Sequence, residues 1–147
     1  MAFEYDRILV AVDGSDASEL AFKKAVDIVK RNNAKMFLTH VIDTRTITTV
    51  APEVYDQTLA ARSESYAQSL LAEYKEKANK HGVYDIKTHV EIGSPKLKIP
   101  KDLAKKYEAD LIICGATGMN AVERFLIGSV SESITRYAKC DVLVVRS

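Results

Sequence analysis

Three glycines and two serines fall within GATGMNAVERFLIGSVSE, residues 115–132, which follows a short apolar run. Gly115 and Gly118 allow positive φ and a close approach of main chain to a ligand. Gly128 and Ser129 stand where a helix would open with its first amides lacking intrahelical partners. Free N–H groups, the positive end of a helix dipole and hydroxyls at Ser129 and Ser131 are the parts of an anion cradle, and phosphate is the anion they suit. The spacing is Gly, two residues, Gly, nine residues, Gly-Ser. The expected site is therefore split, with the intervening residues wrapped around the ligand. The usual phosphate loops are absent: there is no GxxxxGKS or GxxxxGKT, hence no motif lysine for terminal phosphates, and no GxGxxG after the first apolar run. The alternative is that Ser129 is only a helix cap and Ser131 only a first-turn residue.

Asp13, just beyond the run ILVAV, offers acceptors to a ribose hydroxyl or an adenine amino group, with capping of the following turn as the alternative. Val41, at the end of the run MFLTHVI, offers only its backbone to a base. His40, His81 and His89 are scattered and Cys114 and Cys140 are far apart, so no metal-binding constellation emerges. His40 reads as a satisfied strand histidine, Cys114 as a small buried hydrophobe, and Arg124 as a solvated helix position. Tyr66 and Tyr74 form a stripe suited to a core or an interface.

Elements must bring these residues together. Ile8 to Val12 is an unbroken β-branched apolar run, the mark of a strand covered on both faces. A helix follows, with Asp16 and Glu19 as a capping pair, ending at the breaker Asn32-Asn33. Met36 to Ile42 reads as a second buried strand, 43–52 as a loop, and the chain from about Glu53 to a stop at Gly82 as a long helix. Ile86 to Ile92 alternates, which suggests a half-buried edge strand ending at Gly93. Pro95 suits a helix start, whereas Pro100 would delete a bond one turn inside, so a distorted turn precedes a regular helix beginning near Pro100. Leu111 to Cys114, a helix from about Ser129 to Ala138 and a strand Val142 to Val145 complete five strands and four helices. Alternating β and α elements predict an α/β fold with an open parallel sheet, order 3-2-1-4-5, and helices on both faces. Ligands bind such sheets at the reversal of strand order, here between strands 1 and 4.

The chain has 147 residues, 47% of them hydrophobic, which suits one domain over residues 1–147. Twenty-one Lys and Arg against 20 Asp and Glu leave a net charge of +1, so no global field attracts nucleic acid or an anionic membrane. No apolar run approaches the roughly 18 residues of a membrane span. With two cysteines and a start, MAFEYDRILV, unlike a signal peptide, a cytoplasmic location is expected.

The combination closely resembles the universal stress protein family, in its ATP-binding branch. RILVAVDGS is similar to that family's first strand, HVID to its second, GSP to the turn before its third helix and DVLVVRS to its closing strand, while Gly115, Gly118, Gly128 and Ser129 match its glycine motif without a gap. The resemblance implies a Rossmann-like fold of the adenine nucleotide alpha hydrolase kind. It implies that Val12, Asp13 and Val41 hold adenosine, that Gly115, Gly118, Gly128, Ser129, Val130 and Ser131 hold phosphates, and that ATP is bound with Mg²⁺ or Mn²⁺ held mainly through the phosphates. It also implies a homodimer through the last strand, 142–145. The expected output is a regulatory switch in stress response with slow hydrolysis at most. A slow ATPase with residues 44–52 as a lid, a nucleotide-free dimerising adaptor, and cyclic AMP as the ligand stay open. Asp141 and Pro100 depart from the family's usual pattern.

Overall fold

A computed structural model describes residues 4–44, 57–118 and 127–147. Five strands form one parallel sheet: β1 (Arg7–Ala11), β2 (Lys35–Asp43), β3 (Ile86–Gly93), β4 (Leu111–Gly115) and β5 (Asp141–Val145), in the order β3-β2-β1-β4-β5. This is the expected order, and it puts the reversal between β1 and β4. The half-buried, alternating β3 is an edge, as its pattern predicted.

Strand periodicity divides the core in two. Ile8, Val10, Met36, Leu38, Leu111 and Ile113 face α1 (Asp16–Asn32) and α2 (Gln57–Lys80), where Phe22, Val26, Leu71 and Tyr74 complete the packing. Leu9, Phe37, Ile112 and Cys114 face a third helical segment, α3 (95–106), and α4 (Ser129–Tyr137), meeting Ile99, Leu103, Tyr107 and Ile134. Asn33, left-handed at φ 53, ends α1, and Gly82 at φ 88 follows the end of α2, both at expected breakers.

Two local expectations fail for identifiable reasons. The cap of α1 is Ser15, whose Oγ accepts from Ser18 N–H at 3.2 Å; Asp16 is already helical, and Glu19 pairs with Lys77 on α2 at 3.4 Å. The regular helix expected from Pro100 is absent. Here α3 consists of a turn, Pro95–Leu97, a π-helical stretch, Lys98–Leu103, and a closing turn, Ala104–Lys106. Pro100 has no N–H to give and its ring would crowd the carbonyl four residues back. Widening the turn relieves both, and Ala104 N–H bonds to Ile99 O, five residues back. Residues 45–56, including most of the suggested lid, and Arg124 lie outside the described residues.

Candidate functional site

The carboxyl ends of β1 and β4 open onto a crevice of about 1100 Å³, and all nine predicted site residues line it. Val12 and Asp13 come from the end of β1, Val41 from β2, Gly115 and Gly118 from the end of β4, and Gly128, Ser129, Val130 and Ser131 from the start of α4.

Among the helices whose described residues begin at this crevice, α1 is closed by a side-chain cap and α4 is not. At α1 the Ser15 hydroxyl fills the cap position. At α4 the cap residue is Gly128, extended at φ −66 and ψ 162, and no side chain caps it. The first helical bond there runs from Glu132 N–H to Gly128 O, so the amides of Ser129, Val130 and Ser131 precede the intrahelical ladder. They supply the positive end of the helix to the crevice.

What aims α4 is a staple on the Ala116 carbonyl. It accepts from Gly128 N–H at 2.7 Å and from the Ser131 hydroxyl at 2.8 Å. The same hydroxyl lies 3.0 Å from Gly128 O. Ser131 is 3% exposed and its proton is engaged with main chain, so it holds the start of α4 in place, whereas Ser129 is exposed at the helix start.

The glycines serve a purpose other than the positive φ expected of Gly115 and Gly118. Among the described glycines only Gly14, Gly82 and Gly93 have positive φ. At the motif positions the requirement is room. A Cβ on Gly115 would lie 2.8 Å from the Ala17 carbonyl carbon and 2.9 Å from Ser18 N, so this glycine lets β4 pack on the first turn of α1. A Cβ on Gly118 would lie 3.1 Å from Asp13 Oδ2, and one on Gly128 3.2 Å from Ala116 O.

Opposite the cradle, Asp13 does two things at once. Its Oδ1 accepts from Ser15 N–H at 2.9 Å, the turn-capping alternative, and its Oδ2 is the oxygen facing Gly118. Its own N–H donates to Ser18 Oγ at 3.0 Å. Val12 has both main-chain groups occupied: N–H to Thr39 O at 2.9 Å, and C=O accepting from His40 Nδ1 at 2.7 Å. Cys114 reaches the crevice from the buried end of β4, and burial pushes its thiol up to about 12.

A wall from α2 was not anticipated. Arg62, Ser63 and Tyr66 line the crevice. Tyr74 packs on Phe22 with ring centroids 4.7 Å apart, but Tyr66, in the same helical stripe, is 51% exposed. Its ring meets His40 edge-on at 6.1 Å, and its hydroxyl lies 2.7 Å from where a Gly14 Cβ would be. Period-four spacing gave Tyr66 the same reading as Tyr74; the difference arises because α2 overhangs the end of the sheet at that turn. Among the described residues no three His, Cys, Asp or Glu side chains form a group able to hold a metal ion.

Residues 4–146 match the universal stress protein family. A universal stress protein homologue from Staphylococcus aureus (strain USA300) is 54% identical over 143 residues, 97% of this chain and 85% of that protein. The solved structure of the universal stress protein UspA from Lactobacillus plantarum superposes with a TM-score of 0.83 at 32% identity, covering 99% of this chain and 100% of that one. A universal stress protein solved in complex with cAMP superposes at 0.69 with 27% identity, covering 98% of each chain.

Proposed function

This chain belongs to the universal stress protein family, and we propose that its crevice binds an adenine nucleotide, ATP foremost, as the input of a regulatory switch in stress response. The observation that carries this reading is the uncapped start of α4 facing the Asp13 carboxylate across one crevice. An anion belongs at the first, a hydroxyl or amino donor at the second, and a nucleotide has both. Mg²⁺ or Mn²⁺ would be held mainly by the phosphates, neutralising their charge. Turnover should be slow. Efficient phosphoryl transfer uses positioned cations and an oriented nucleophile, and Arg62 is the sole Lys or Arg among the described lining residues. The fold of residues 1–147 as one domain, a homodimer through 142–145 and a cytoplasmic location belong to the same proposal.

Calorimetric titration of nucleotide-free protein with ATP and Mg²⁺, at two temperatures, tests it. Saturation near one ATP per chain is expected, with binding lost in Gly118→Val, whose side chain would enter the gap before Asp13. Cyclic AMP is titrated in parallel, because the relative solved with it shares the fold. No heat at either temperature and no retention in equilibrium dialysis would remove the nucleotide from this reading.

A further inference from the structure

In a strand the N–H and C=O of one residue point to the same side, and residues two apart share that side. Thr39 accepts from Val12 N–H, so Thr39 faces β1, and Val41 faces the same way. One more rung of parallel ladder would join Val41 N–H to the Val12 carbonyl. That rung is missing. The Val12 carbonyl instead accepts from His40 Nδ1 at 2.7 Å, and no main-chain bond joins it to Val41. Beyond it the chain leaves the sheet at Asp13 and Gly14, the latter at φ 85.

We propose that His40 is the positioning residue for the nucleobase: by occupying the Val12 carbonyl it ends the β1–β2 ladder and keeps the Val41 N–H and C=O open on the crevice wall. One donor and one acceptor from a single strand residue match the edge of adenine, which offers N1 as acceptor and its amino group as donor. Hypoxanthine presents its acceptor and donor in the opposite order. This inference rests on the nucleotide reading above and assigns the selection of the base within it.

A carbonyl oxygen only accepts, so Nδ1 carries the hydrogen. The Tyr66 ring meets the imidazole edge-on at 6.1 Å, and Asp13, Asp43 and Arg62 line the same crevice.

The test compares ATP, ITP and tripolyphosphate on wild-type protein, His40→Asn and His40→Leu. The Asn amide nitrogen takes the place of Nδ1 and can donate; Leu cannot, and leaves Val12 O free to close the extra rung with Val41. Wild type should prefer ATP over ITP by about tenfold or more, the discrimination expected of a paired donor and acceptor. His40→Asn should keep that preference and His40→Leu should lose it, with tripolyphosphate binding alike in all three. An unchanged preference in His40→Leu, or a loss in His40→Asn equal to that in His40→Leu, overturns the proposal. Should His40→Leu fail to fold, ring ¹⁵N shifts of wild type decide: a protonated Nδ1 with bare Nε2 at neutral pH supports it, and the reverse tautomer overturns it. Wild type that binds tripolyphosphate and ATP but does not prefer ATP to ITP refutes the base selection alone; wild type that binds none of the three refutes the nucleotide reading as well.

Discussion

At the scale of single residues, the glycine motif separates into three different demands. Gly115 faces Ala17 and Ser18 backbone, which cannot swing aside. Gly115→Ala should therefore destabilise the fold by about 1–3 kcal/mol in denaturant titrations, as overpacking does, with nucleotide affinity changed only as a consequence. Gly118→Ala meets one carboxylate oxygen at 3.1 Å and should act on ligand affinity while the unfolding midpoint stays near wild type. The spacing of these glycines was legible in the sequence, but their reason was not: a close contact between β4 and α1 joins residues about a hundred positions apart, and no local pattern encodes it. Cys114 is the opposite case. A small apolar neighbour set marked it as a buried thiol, and desolvation does hold it up at about 12. At pH 8 it should resist iodoacetamide in the native protein and react once unfolded, with mass spectrometry of the alkylated peptide as the measure. Rapid native labelling would mean that the end of β4 opens to solvent.

At the scale of elements, the contrast between the starts of α1 and α4 carries the most consequence. Ser15 closes α1, and Gly128 leaves α4 open. Gly128→Asp would give α4 a carboxylate cap of its own, placed where phosphate would go. Its φ of −66 suits any residue and the nearest obstacle, Ala116 O at 3.2 Å, needs only a small shift. The expected result is weaker ATP binding by tenfold or more with little change in melting temperature; undiminished binding would place the anion elsewhere. On β3, the His89 hydrogen bond at 3.2 Å holds the Glu91 carboxyl below its ordinary range, aided by Ile92 N–H at 3.1 Å. A depressed value in the folded state stabilises it above the ordinary carboxylate range, and the gain is lost as pH falls through the folded value. Glu91→Gln should thus be less stable than wild type at pH 6, by less than about 1 kcal/mol, and the two should converge in strong acid. The strands were legible because buried parallel strands are continuous apolar runs. The π-helical stretch around Pro100 was not, since a missing N–H signals a disturbance without saying whether the chain breaks or widens.

At the scale of the whole molecule, alternating elements and short turns left few topologies, and the observed order β3-β2-β1-β4-β5 is the one that makes a single crevice from segments at positions 13, 41, 115–118 and 128–131. The same order leaves β5 at an edge. Val145 O accepts from Ala116 N–H at 2.7 Å, so Val145 turns its main chain toward β4, and by alternation Leu143 and Asp141 do too. Val142 and Val144 then turn theirs outward, where a second copy of the chain could add its own β5. Proline is tolerated on the outward side of an edge strand because no ladder bond is lost there. Val144→Pro should therefore keep the sheet and the crevice while removing one outward donor from each copy. Sedimentation should show wild type as a dimer of 16.3 kDa chains and Val144→Pro as a monomer that still binds ATP. A variant that stays dimeric would move the interface off β5. A monomer that no longer binds would mean that dimerisation through this edge supports the crevice, coupling the nucleotide to the assembly rather than to one chain.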